Sequence, residues 1–213
     1  MNEKRLRTKK IVSLGVFSAL SLVLYYLRFP LPIFPSFLQV QFSMLPLIIG
    51  GFCYGFGFSA TALIIKTIIA VAISFGNSIA IGEFADLIIG LSVLFVITLI
   101  YNKNKTKKQA IIALVSGIIT WILVASLINY FILIPIYIKL YFKNDVNSFI
   151  GAISIIPNVT KENYKIKYLL LGAIPFNMIL STFVSLVTFV SYKKISRFLK
   201  KEPDETNESL TNE

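Results

Sequence analysis

The sequence predicts an all-α membrane protein: a bundle of six transmembrane helices with both termini cytoplasmic and a long outer loop between helices 1 and 2. Three observations carry this. Of 213 residues, 56% are hydrophobic and 15% charged, with a mean hydropathy of +0.78; a soluble domain carries about 25% charge. The apolar stretches are continuous, over roughly 11–27, 46–75, 82–101, 110–138 and 168–192. The basic residues collect in blocks outside those stretches. Soluble, disordered and collagen-like chains are excluded by this composition, and a β-barrel by the lack of alternation.

A helix needs about 20 apolar residues to cross a bilayer, which gives five spans on a plain count. The stretch 46–75 is long for one span and carries Gly50, Gly51, Gly55 and Gly57. Glycine costs about 1 kcal/mol relative to alanine inside a helix. A break near Gly55-Phe56-Gly57 therefore divides it into short helices over about 46–56 and 58–75. Charge chooses between five spans and six. Lysine and arginine favour the cytoplasmic side. With six spans, the blocks in 1–10, 103–108 and 193–201 all fall inside; with five, the last two fall outside. The outer loops are then about 28–45, 76–81 and 139–167. The last holds five lysines, but it is long, and the charge rule weakens with loop length.

The organisation expected is a basic cytoplasmic N-terminus (1–10), a six-helix transmembrane domain (11–192) and a cytoplasmic tail (193–213), basic then acidic, expected to be disordered. No small-residue cleavage site precedes Tyr25-Tyr26, so the first span is not expected to be a cleaved signal. The net charge of +11 invites a nucleic-acid reading, but basic blocks flanking apolar spans are topology signals, and no nucleic-acid partner is expected. The chain has no histidine and one cysteine, Cys53, so a metal site is not expected and Cys53 reads as a small packing residue.

The loop Arg28–Leu45 holds Pro30, Pro32 and Pro35, which prevent helix, and Phe29, Phe34, Phe37, Leu38 and Phe42, which are too apolar for a solvated loop. It must either anchor at the membrane surface or lie as a lid over a flat, partly apolar ligand. Ionisable residues inside spans are functional candidates by default. Lys66 lies near the middle of the third span. Glu83 and Asp86, three apart, share a face near the outer end of the fourth. They form either a structural ion pair with Lys66 or part of a ligand cavity. Asn129 and Asn177, in the outer halves of the fifth and sixth spans, are either interhelical hydrogen-bonders or ligand contacts. Pro175 loosens the helix beside Asn177 and frees a carbonyl. There is no G-x-x-x-x-G-K-[ST], no H-E-x-x-H and no G-x-S-x-G, so neither a Walker-type nucleotide site nor a recognisable enzyme centre is expected; the chain is not expected to be an enzyme.

In order along the chain stand Pro35-Ser-Phe-Leu-Gln-Val-Gln-Phe-Ser-Met-Leu-Pro46, Gly50-Gly-Phe-Cys-Tyr-Gly55, Ile65-Lys66, Ile81-Gly-Glu-Phe-Ala-Asp86, Asn129-Tyr-Phe-Ile-Leu-Ile-Pro-Ile-Tyr137 and Ile174-Pro-Phe-Asn177. Together they resemble the riboflavin-binding S component of energy-coupling factor (ECF) transporters, over about residues 11–192. The resemblance implies a bacterial cell-membrane subunit that captures a vitamin from outside and docks on a transmembrane T subunit driven by two ATPases, with riboflavin as transported ligand rather than cofactor. It places the pocket between the outer helix ends under the first long loop, with Leu38, Gln41, Phe42, Lys66, Glu83, Asp86, Asn129 and Asn177 as candidate substrate-binding residues. Gly15 and Ala19, four apart in the first span, would meet the T subunit through a close small-residue contact; packing within the chain is the other reading. The chain departs from the family pattern at Gln41 and Met44, where aspartates are usual, at Asp86, where asparagine is frequent, and at Leu180, where lysine is usual. An S component for another vitamin or flavin is the neighbouring reading; an intramembrane enzyme or assembly protein is the alternative from another class.

Overall fold

The computed structural model describes residues 3–74 and 80–200, and the side chains of 4–74 and 80–192. Among the described residues, five helical segments are long and apolar enough to cross a membrane: Lys4–Tyr26, Phe56–Ser74, Ile81–Tyr101, Lys107–Leu140 and Tyr164–Tyr192. A sixth apolar helix, Met44–Tyr54, has 11 residues and a length of about 16 Å at 1.5 Å per residue, half of a bilayer core.

The elements follow the chain. Helix α1 (Glu3–Tyr26) leads into a two-stranded antiparallel ribbon, β1 (Phe29–Pro30) and β2 (Gln39–Val40), with Phe29 opposite Val40 and Pro30 opposite Gln39. Helices α2 (Met44–Tyr54) and α3 (Phe56–Ser74) follow, then α4 (Ile81–Tyr101) and α5 (Lys107–Ile128). A five-residue π-helical turn, Asn129–Leu133, joins α5 to α6 (Ile134–Leu140); α7 (Val146–Ala152) stands alone; α8 (Tyr164–Tyr168) runs through a second π turn, Leu169–Ala173, into α9 (Ile174–Lys200).

The break between α2 and α3 falls at Gly55, whose φ of +89° is a left-handed backbone conformation that glycine adopts without penalty. The chain reverses there, and the short α2 is buried among α1, α3, α4 and α9. Elsewhere glycine permits close approach: a Cβ on Gly117 of α5 would lie 2.5 Å from Ile97 Cδ1 of α4, and these two helices form the most extensive pair in the bundle.

The π turns have a shared cause. Each ends immediately before an Ile-Pro pair, Ile134-Pro135 and Ile174-Pro175. Proline lacks the N–H for an i→i−4 bond and its ring crowds that carbonyl, so the helix widens by one residue just upstream.

One sequence expectation needs correction. The region 139–167 is not a plain loop. Asp145 caps α7 by accepting from the backbone N–H groups of Asn147 and Ser148 at 2.9 and 3.0 Å, and Phe149 and Ile153 are fully buried in the core. Hydrogen bonds from the Ser148 hydroxyl and the Asn147 backbone hold the exposed Asp145 carboxyl below its ordinary range. Helix α1 runs through Lys4–Lys10 and α9 through 193–200, because lysine and arginine are good helix formers. The expected disorder of 202–213 and most of the expected 76–81 loop lie outside the described residues.

The two ends of the bundle differ. At one end Ser13 bonds to Tyr54 (3.1 Å) and the Tyr101, Tyr192 and Phe52 rings meet; the starts of α1 and α5 and the end of α9 lie there. At the other end α1 finishes against the start of α4, where Tyr25 donates to Glu83 at 3.0 Å, and the ribbon segment 28–43 lies across the helix ends.

Candidate functional site

A cavity of about 660 Å³, counting its open mouth, lies under the ribbon segment. The segment contributes Phe37, Leu38, Gln39 and Gln41; α4 contributes Gly82, Ala85, Asp86 and Ile89; α5 and its π turn contribute Trp121, Asn129 and Leu133; Tyr137, Tyr168, Phe176, Asn177 and Leu180 complete the wall.

The segment is held down by aromatic contacts. Phe34 meets Phe176 edge-on, centroids 5.5 Å apart at 81°, and Phe37 packs on Tyr137 and Tyr168 at 5.8 and 5.7 Å. Burying such rings drives the closure that the apolar loop composition required, and edge-to-face pairs add about 0.5–1.5 kcal/mol each. Of the loop's apolar residues, Phe34 and Leu38 are buried, whereas Phe29 stays exposed.

Both asparagines stand at the cavity wall and are buried. Their side chains are arranged alike. Asn129 Nδ2 donates to the Ala125 carbonyl and Asn177 Nδ2 to the Ala173 carbonyl, both at 2.8 Å. Asn129 Oδ1 accepts from the Tyr168 hydroxyl at 3.0 Å, and Asn177 Oδ1 from the Trp121 indole N–H at 3.1 Å. Each amide has a second N–H and a second lone pair beyond these bonds, so each retains capacity toward the cavity.

The charged residues divide. Asp86 lines the cavity and Gln41 Nε2 donates to its Oδ1 at 3.0 Å. Lys66 forms an ion pair with Asp86 Oδ2 and is 0% exposed. Glu83 is buried, accepting from Tyr25 at 3.0 Å and Ser74 at 3.3 Å. Lys66 and Glu83 therefore lie behind the wall and not on it. Phe42 also lies off the cavity, against Phe183 at 5.4 Å. Leu38, Gln41, Asp86, Asn129 and Asn177 are brought together; Lys66, Glu83 and Phe42 are not. Sequence reasoning did not single out Trp121, Tyr168 or Phe176. The signal for Trp121 was its being the single tryptophan, set in an apolar helix where a buried N–H needs an acceptor.

Gly15 and Ala19 are on the outer face of α1, and nothing lies within 4 Å of a Cβ built on Gly15. They do not pack within this chain. Exposed Val12, Val16, Leu20 and Val23 flank them.

The cavity can take a flat, partly apolar molecule with polar substituents: aromatic rings line it, and amide, carboxylate and indole groups converge on it. Comparison with known proteins agrees with this architecture. Residues 9–192 match the family model described as "ECF transporter, substrate-specific component". The chain is 27% identical over 195 residues to the riboflavin transporter RibU of Staphylococcus aureus (strain TCH60), covering 92% of this chain and 94% of that one. It is 23% identical over 198 residues to the riboflavin transporter FmnP of Bacillus subtilis (strain 168), covering 92% and 97%. A solved structure of the S component of a bacterial ECF transporter superposes with a TM-score of 0.69 at 26% identity, covering 92% of this chain and 99% of that one. The chain thus belongs to the substrate-specific components of ECF transporters, which are bacterial membrane proteins and transporter components.

Proposed function

We propose that this chain captures riboflavin from outside the cell and delivers it for ATP-driven uptake. The observation that carries the reading is the cavity: Trp121, Tyr137, Tyr168, Phe37 and Phe176 offer ring faces and edges for a flavin-sized heteroaromatic, and Gln41, Asp86, Asn129 and Asn177 offer hydrogen bonds for its carbonyl and hydroxyl groups. The relatives named for riboflavin transport supply the substrate.

The topology that suits this function has six crossings. The short α2 completes the second crossing together with the ribbon segment above it. The cavity lies at the end of the bundle opposite the basic blocks of α1, of 103–108 and of the α9 C-terminus. Basic residues favour the cytoplasm, so both termini are inside and the cavity faces out. The partners are a transmembrane T subunit and two ATPase subunits, a reading supported by the family the chain belongs to. Gly15 and Ala19, outward on α1, form the contact for the T subunit. No resident cofactor is needed; riboflavin is cargo.

The test is uptake of labelled riboflavin into cells or vesicles. Uptake should need this chain, the partner subunits and ATP together, and unlabelled riboflavin should compete. Uptake that ignores competing riboflavin would give the site to another vitamin.

A further inference from the structure

Two of the charged residues near the cavity do not reach it, and their contacts point to a different role. Asp86 uses its two oxygens on opposite sides: Oδ2 meets Lys66, behind the wall, and Oδ1 accepts from Gln41 of the ribbon segment at 3.0 Å. The Gln41 amide is oriented by the Ser43 hydroxyl, which donates to its Oε1 at 3.0 Å, and the Ser43 carbonyl accepts from Ser21 of α1 at 2.8 Å. The Lys66 ammonium sits 4.0 Å from the centre of the Tyr25 ring. The Tyr25 hydroxyl donates to Glu83 and accepts from Arg28 at 3.0 Å. One polar cluster thus joins the end of α1, the lid segment, α3 and α4 beside the cavity.

We infer that Lys66 and Glu83 are positioning residues, which hold the lid shut through Gln41 and tie its release to the end of α1. This deepens the riboflavin-capture reading and rests on it for the identity of the ligand. The physical reason is charge. A lysine with no exposed surface in an apolar bundle requires a counter-ion. With Lys66 in place, Asp86 is an ionised acceptor, and its bond from the Gln41 amide is charge-assisted, about twice as strong as a neutral one. Gln41 is then a latch whose strength is set by a residue the ligand does not touch. Because Tyr25 contacts Lys66 through its ring and Glu83 through its hydroxyl, movement of the α1 end changes the environment of the same ion pair.

The experiment reads the lid without ligand. Val40, buried on β2 next to Gln41, is replaced by cysteine in a Cys53→Ser background, and the rate of maleimide labelling of the purified chain is measured. Gln41→Leu cuts the latch alone and Lys66→Met removes the counter-ion. Gln41→Leu should speed labelling at least tenfold, the range for losing a hydrogen bond to a charged group, and Lys66→Met should speed it severalfold, because the bond is weakened to a neutral one and not lost. The double variant should label no faster than the faster single, because both act on one bond. If the two effects multiply, or if Lys66→Met labels as slowly as the background, the inference is overturned. Should Lys66→Met fail to fold, Tyr25→Phe replaces it in the cycle. It keeps the ring and removes only the hydroxyl, and should give a two- to threefold acceleration that again vanishes in combination with Gln41→Leu. Riboflavin binding by the background protein is measured separately, so failure to bind would count against the ligand and leave the labelling result readable.

Discussion

Trp121 of α5 donates its indole N–H to Asn177 Oδ1 of α9 at 3.1 Å, inside the cavity wall. Tyr168 makes the corresponding bond to Asn129 in the opposite sense, from the α8–α9 segment back to the end of α5. The two amides therefore serve twice. They fasten neighbouring spans and present their remaining hydrogen-bonding capacity to the cavity.

Asn129→Ala and Asn177→Ala should each weaken riboflavin binding by roughly tenfold to a hundredfold. Leaving a buried polar group unsatisfied costs about 1–3 kcal/mol, and 1.4 kcal/mol is a factor of ten in affinity. Fluorescence titration gives the affinity and a thermal melt gives the stability. Unchanged affinity with a lowered melting point would make the asparagines packing residues only.

Leu180 lines the cavity and is buried, at the position where the family pattern usually has lysine. Leu180→Lys places a donor beside Asn177, three residues away on the same helix. If the ligand is riboflavin, its binding should be retained or tightened. A loss of binding of tenfold or more, with the fold intact by circular dichroism, would show that this cavity does not share the family's ligand geometry.

Topology is testable by reporters. One fused after Asn104 should be cytoplasmic, and one near Asn147, in α7, should be external. A reversed result would move the cavity to the cytoplasmic side.

The cap of α7 should respond to acid. Hydrogen bonds from Ser148 and Asn147 depress the folded-state pKa of Asp145. Its contribution is fully present above the ordinary carboxylate range and is lost as pH falls through the depressed value. Amide-exchange protection at 149–152 should therefore decline on acidification, and in Asp145→Ala it should be low throughout and nearly independent of pH. The same pH dependence in wild type and variant would remove Asp145 from the explanation.

Much of this architecture was legible in the sequence because it rests on local chemistry. Gly55 announced the α2–α3 reversal, since a positive φ suits glycine. Three prolines and a run of aromatics announced the segment over the cavity. Lys66 and Asp86 could be paired from their places in adjacent spans. Depth was not legible. Residue spacing fixes which face of a helix a side chain occupies but not how far that face stands from a cavity, so Lys66, Glu83 and Phe42 looked equivalent to Asp86. Trp121, Tyr168 and Phe176 were missed because an aromatic residue in an apolar span has the same signature whether it faces lipid, core or ligand. Helix α7 was missed because seven residues carry too little periodicity, although Asp145 before Asn147-Ser148 was a capping signal.

The most direct test of the central claim is equilibrium titration of the purified chain, without partner subunits, with riboflavin. Flavin fluorescence should be quenched saturably at one ligand per chain, since a flavin in this cavity lies among Trp121, Tyr137 and Tyr168, and protein purified from riboflavin-containing medium should carry the yellow absorbance. A folded chain that gives no saturable quenching and no bound chromophore would contradict the account.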